Sequence, residues 1–505
     1  MNWKIITKSL GHKDMRKRIF AVLGILLVFR ILAQLPVPIA NGDTLRQVLE
    51  NAFSSNSSSF LGYLNVLSGG ALSNFSILIA GMGPYINASI IMQLLTKAVP
   101  KLEALHKEGE FGQKKINQYT RILTFPLAIV QSIGSIYLIR QFASQQSGVG
   151  DITAHTSPLQ WVLMVGALTG GSMLLMWLGE LITEQSVGNG ISLVITVGIV
   201  SRLPSNIASI FSGVFGKDHQ WHLFGHNLPV SEKGLIYALG LGAAFLFITW
   251  AVVMLNEAAR NLTVNYAKRV QGNRAYGGIT TVLPVKLITA GVVPIIFAVA
   301  FLSVPTYVGQ LLASNHSASL AHFGANIYQW FQPPSQTTFA QGGFEPFIYP
   351  VTYFLLVFVF TFFYTSIAFN TKEIAENLQK QGGFLEGVRS GGQTETYLGK
   401  VVNRLTLFGA LSLGLLALLP IIAQIWINTN ISIGGTSILI LVSVALQTLR
   451  AVESRALMVT YDQYSQPDFF SDDDSEGSNG KKSHRFRFIP SVSSIPGVGR
   501  KTKAK

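Results

Sequence analysis

Asp218, His219, His222 and His226 have the one spacing in this chain that resembles a metal-ligand set. Carboxylate and imidazole donors hold a metal when three or four of them converge on it. These four lie in a polar stretch, and no second cluster elsewhere completes a shell. They read as surface residues, and no metal is expected. Nucleophilic chemistry has as little to work with. The chain has no cysteine, which removes thiolate catalysis and disulfides. It has no Walker A loop, no HExxH and no GxSxG. No catalytic residue, no cofactor and no enzyme activity are expected.

The remaining candidates are charges in apolar surroundings. Arg30 falls near the middle of the apolar stretch 19–39. A charge at such a place costs about 2.5–3.5 kcal/mol on membrane-insertion scales. It marks a substrate path, or it is a structural arginine bonded to carbonyls of a neighbouring helix. The absence of a run of intramembrane Asp or Glu that could relay protons favours the second reading. Glu180 and Glu184 close another apolar stretch and are expected to cap the turn into the next one. Gly188-Asn189-Gly190 and Gly434-Gly435-Thr436-Ser437 read as glycine turns before helices, with Ser192 and Ser437 as ordinary polar helix positions.

What must hold these residues is a set of membrane spans. Apolar stretches recur at 19–39, 75–96, 122–141, 159–181, 190–211, 235–256, 287–313, 347–369, 404–426 and 435–452, each near the ~20 residues a bilayer demands. The composition agrees: 49% of residues are hydrophobic and 12% charged, against about 25% charged in soluble domains. Of the 38 Lys and Arg residues, all but Arg30, Arg46, Arg140, Arg202, Lys217 and Lys233 fall in the N-terminal segment, every second loop, the C-terminal tail or the span ends beside them (Arg404 and Arg450). This is the positive-inside pattern, and it predicts cytoplasmic ends. The net charge of +14 then faces anionic lipid headgroups. Loops 97–121, 257–286 and 370–403 are basic and long enough to fold outside the membrane. Loops 142–158 and 314–346 carry no Lys or Arg. Leu61 to Leu67 is apolar but too short to span, and it ends at Ser68-Gly69-Gly70. It reads as a re-entrant segment beside a cavity that opens on the non-cytoplasmic side.

On these loops and the span starts beside them the chain carries INQYTR at 116–121, ITEQSVGNGIS at 182–192, NYAKR at 265–269, AGVVPIIFA at 290–298, EIAENLQKQGGF at 373–384 and GGTS at 434–437. In wording and order these strings resemble the SecY/Sec61-alpha family, the central subunits of protein-conducting channels. The likeness runs from about residue 10 to 462. It implies an all-α polytopic fold of ten helices in two pseudo-symmetric halves, here 1–211 and 235–452. An external hinge loop at 212–234 joins them, and a cytoplasmic tail at 453–505, expected to be disordered, follows.

The resemblance also implies function. Unfolded secretory chains cross through the pore, and hydrophobic segments leave sideways between the second and seventh spans. A plug corresponds to the segment around Leu61, Leu64, Leu67, Gly69 and Gly70. A constriction ring falls on Met82, Ile86, Ile191, Ile195, Ile296 and Ile440, whose apolar side chains block ions by dewetting. Lys268, Arg269, Arg274 and Arg389 are expected to face a motor or ribosome. Expected partners are SecE-like and SecG-like small membrane subunits, a SecA-like ATPase motor, the ribosome, signal peptides, nascent chains and lipids. The location implied is a bacterial-type plasma membrane.

The chain departs from the family at Gly83, where a bulky residue before Pro84 is usual, at Ser390, where proline is usual after Arg389, and in its long tail. That tail is acidic at 471–476 and basic from Lys481, with Phe486 and Phe488 alternating with Arg485 and Arg487. It reads as drawn to the anionic leaflet or as a tether to ribosomal RNA. A secondary transporter is the alternative, but it would need coordinating groups at mid-membrane. An intramembrane hydrolase would need a nucleophile and base across helices. Neither set is visible.

Overall fold

The computed structural model describes residues 13–37, 71, 75–145, 157–201, 203–204, 207–208, 220–223, 226–266, 269–271, 274–276, 278, 280–313, 318–334, 343–426 and 435–465. The first half contributes α1 (Lys13–Leu32), α2 (Gly83–Ala98), α3 (Pro100–Lys107), α4 (Glu110–Gln145), α5 (Pro158–Glu184) and α6 (Gly190–Val200), followed by the hairpin β1 (Gln220–Leu223) and β2 (His226–Ser231). The second half opens with α7 (Glu232–Glu257) and the strands β3 (Ala259–Tyr266), β4 (Arg269–Gln271), β5 (Arg274–Tyr276) and β6 (Thr280–Lys286). It continues with α8 (Val293–Ala313), α9 (Ala318–Phe331), α10 (Glu345–Ala368), α11 (Thr371–Lys380), β7 (Gly383–Leu385), α12 (Gly392–Trp426) and α13 (Gly435–Ser465).

Each of the ten expected spans overlaps a helix. Among the described residues, five segments are long and apolar enough to cross a membrane by length and composition alone: Pro158–Glu184, Val293–Ala313, Glu345–Lys380, Gly392–Leu419 and Ser437–Met458. The outer faces carry the solvent's signature. Phe20, Leu23, Leu27 and Ile31 form an exposed stripe along α1, while Val22 and Phe29 are buried. In water such a stripe promotes aggregation; against acyl chains it has no cost.

The second span starts later than its hydropathy predicts. Residues 75–82 are turns, and helix begins at Gly83. Phe75 has φ 45° and Gly81 φ 59°, so the backbone leaves the helical region twice before Pro84 sets the first turn. This non-helical stretch is satisfied inside the protein: Val37 N donates to Phe75 O at 2.9 Å, Ile77 N to Leu35 O at 3.1 Å, and Ser76 Oγ to Leu32 O at 3.0 Å. The seventh span repeats the device. Ala290-Gly291-Val292-Val293-Pro294-Ile295-Ile296 matches Ala80-Gly81-Met82-Gly83-Pro84-Tyr85-Ile86, and Gly291 has φ 60°.

The match extends to packing. The Ile77 carbonyl presses on Gly171 of α5, and the Leu287 carbonyl presses on Gly409 of α12; a Cβ at either glycine would collide with that carbonyl. These pairs sit at equivalent places in the two halves, so the pseudo-symmetry expected from the family is written in local geometry.

One loop holds more structure than expected, and two of the basic loops fold together. The 314–346 loop contains α9, which folds back along α8 with Gly309 and Gly324 at the crossing. Thr306 Oγ1 donates to the Phe331 carbonyl at 3.1 Å and satisfies the end of α9. Strands β3 and β6 form an antiparallel hairpin, and β7 from the next polar loop adds to β3, pairing Val264 with Leu385. Leu262, Val264, Val285, Leu385, Leu398 and Val402 form a small separate core under this platform.

Candidate functional site

The expected ring residues stand at helix starts and one turn inside them. Met82 is the residue before α2 and Ile86 lies in its first turn. Ile191 and Ile195 lie one turn apart in α6, Ile296 in the first turn of α8 and Ile440 near the start of α13. Met82, Ile86, Ile195, Ile296 and Ile440 are buried at 4% exposure or less in one continuous apolar cluster, and Ile191 packs against it.

Gly179 of α5 is a contributor that sequence reading missed. A Cβ there would lie 3.2 Å from Met82 Cε and 3.8 Å from Ile191 Cγ1, so the missing side chain leaves the room these two fill. Gly190 lets α6 start directly against the Gly179 carbonyl, and Thr183 Oγ1 bonds both backbones, to Gly179 O at 2.9 Å and from Gly190 N at 3.0 Å. The signal was present as two glycines flanking a threonine, but such glycines are common in membrane helices.

The cap of α6 is Asn189, whose Oδ1 accepts from Ile191 N at 3.0 Å and Ser192 N at 3.3 Å. The expectation that Glu180 caps this turn is corrected. Its carboxylate pairs with Arg121 of α4, with Arg121 Nε donating to Glu180 Oε1 at 3.0 Å. The arginine supplies a stronger, charged donor than a turn amide. Arg30 also moves: it lies in the last turn of α1, where a cation complements the helix dipole, and it is half-buried.

Gly83 has a specific neighbour. The Gln131 amide of α4 lies 2.8 Å from where a Cβ would stand. Gln131 Nε2 donates to Ala80 O at 3.2 Å and to Tyr307 Oη of α8 at 3.4 Å. The space that a bulky residue would take is therefore filled by a buried polar bridge joining the start of α2, α4 and α8. This bridge lies between the second and seventh spans.

Leu61, Leu64, Leu67, Gly69 and Gly70 lie outside the described residues, as do Lys268, Asp218, His219 and the tail from residue 466. Ala71 is fully buried, and its carbonyl accepts from Ser76 N at 3.0 Å. Arg269 and Arg274 are at the two ends of the β4–β5 hairpin, Arg269 opposite Tyr276 and Arg274 opposite Gln271. Arg389 is exposed in the turn after β7, with its carbonyl accepting from Thr394 Oγ1 at 3.0 Å. Among the described residues, no group of three His, Asp or Glu stands where it could hold a metal.

A family model described as SecY matches residues 76–449. The chain belongs to the SecY family. A "Protein translocase subunit SecY" of Streptomyces scabiei is 39% identical over 455 residues, covering 89% of this chain and 97% of that protein. Two solved structures share the SecY fold. One is described as "The plug domain of the SecY protein stabilizes the closed state of the translocation channel and maintains a membrane seal"; it has a TM-score of 0.55, 17% identity, and covers 88% of this chain and 94% of that one. The other is "Sec61 in the Canine ribosome-channel complex from the endoplasmic reticulum", with a TM-score of 0.52, 15% identity and the same coverage. The chain is a multi-pass membrane protein of this family.

Proposed function

We propose that the chain is the pore subunit of a protein-conducting channel, and that Met82, Ile86, Ile191, Ile195, Ile296 and Ile440 form its constriction. The observation that carries the reading is the apolar cluster that collects these side chains from α2, α6, α8 and α13 in a chain of the SecY family. An apolar ring excludes ions by dewetting and yields to a passing chain because it offers no fixed hydrogen-bonding partner. Replacing Ile86 and Ile296 with Asn should hydrate the ring, and resting conductance in planar bilayers should rise. Unchanged conductance would remove these residues from the constriction.

The plug role belongs to the segment containing Leu61, Leu64, Leu67, Gly69 and Gly70. SecE-like and SecG-like subunits complete the assembly. A SecA-like motor or the ribosome docks on the polar platform, meeting Lys268, Arg269, Arg274 and Arg389. The canine neighbour's ribosome complex supports the last assignment. The charge pattern supports a plasma-membrane orientation with both ends cytoplasmic. Because the chain lacks cysteine, a single cysteine at Arg389 tests it. An impermeant thiol reagent should label that cysteine only in inverted vesicles; labelling from outside intact cells would reverse the orientation.

A further inference from the structure

The β3–β6 hairpin stands on two feet. One is the end of α7 at Asn256 and Glu257; the other is Lys286, the last residue of β6. Leu287 N donates to Ala258 O at 2.9 Å and closes the stem. Arg450 of α13 reaches the first foot, with one guanidinium nitrogen donating to the Asn256 carbonyl at 3.2 Å and pairing with the Glu257 carboxylate. Asn256 returns a second link: its Nδ2 donates to Ser443 Oγ at 3.2 Å. Ser443 and Arg450 are two helical turns apart on α13, so they share a face and clasp the end of α7 at two heights. Ile440 is one turn from Ser443 on the same helix. The second foot shares the field. Burial and then the neighbouring Arg450 hold the Lys286 ammonium below the usual lysine value, with Glu257 acting in the opposite direction.

We propose that Arg450 is a positioning residue that transmits load from the β3–β6 hairpin to α13 and so to the constriction at Ile440. The inference rests on the channel reading above. A force on the platform moves the foot at Asn256–Glu257, and α13 is held to that foot by a charge-assisted pair and the Asn256–Ser443 bond. The hairpin keeps its own ladder, from Ala259 opposite Lys286 to Asn265 opposite Thr280, without any help from α13. Cutting the joint therefore leaves the docking surface folded. The pair is partly exposed, so its loss takes little from overall stability.

The test uses the intact complex in proteoliposomes with a SecA-like ATPase and a secretory precursor. Arg450→Gln and Glu257→Gln should each leave motor affinity within about twofold of wild type while transport falls about five- to tenfold, the range of a modest coupling between sites. Arg450→Lys should keep most transport, and Glu257→Arg with Arg450→Glu should recover most of what either Gln variant loses. Normal transport in Arg450→Gln would overturn the joint. So would motor affinity that falls in step with transport, because the residue would then serve docking or folding. A wild-type chain that moves no precursor would overturn the channel reading, and this inference with it.

Discussion

The starts of α2 and α8 use one backbone device and fill it differently. Both place a glycine near φ 60° three residues before a proline, and both press a carbonyl onto a glycine of another helix. In the second half the position before the proline is Val293, which packs against the main apolar cluster. In the first half it is Gly83, and the Gln131 amide takes the space. In the second half this position is thus filled by an apolar side chain. In the first half the hydrogen bonds also reach Tyr307 on the opposite helix. The backbone geometry is what the two halves share; the filling differs, and only in the first half does it include a hydrogen-bonded link to the other half.

The shared part should be the costlier one to disturb. Gly171→Ala and Gly409→Ala each force a Cβ into a backbone carbonyl, and each is expected to cost about 1–3 kcal/mol or more as an overpacking change. Thermal unfolding in mild detergent should show similar losses for the two. A loss at one glycine with none at the other would break the equivalence of the halves.

The differing part should show a smaller and more specific effect. Gln131→Leu removes the donor to the buried Ala80 carbonyl, a loss of about 1–3 kcal/mol, and cuts the link to Tyr307. Val293→Ala in the other half only trims apolar contact, at about 0.5–1.5 kcal/mol. Gln131→Leu should let precursors with weakened signal sequences through, and Val293→Ala should not. Equal behaviour in a precursor-transport assay would mean that the polar bridge has no part in holding α2 and α8 together.

The spans were legible because a bilayer demands long apolar runs and the loops sort their charge. The starts of the second and seventh spans were not, because hydropathy cannot see that Gly81 and Gly291 turn the backbone. The AGxxPxI repeat is plain once Ile86 and Ile296 are seen at matching places, yet two short strings 210 residues apart carry little weight unaided. The helix α9 was lost because its loop was read only for its lack of Lys and Arg, although Gly309 and Gly324 are the small residues a tight helix crossing needs. Glu180 looks like a cap in the sequence because its partner, Arg121, is distant along the chain and only packing of α4 on α5 joins them. The ring positions came from family register, since one isoleucine in a membrane helix looks like any other. Arg450 and Glu257 carried no signal at all before the fold brought α7 beside α13.

The central claim is that a translocating chain passes between the two halves at the buried ring. The cysteine-free background allows single cysteines at Ile86, at Ile296 and, as a lipid-facing control, at the exposed Leu94 of α2. A secretory chain stalled in transit and carrying one cysteine at its midpoint should form a disulfide with positions 86 and 296 and none with 94. Cross-linking to 94 with none to 86 or 296 would contradict the account.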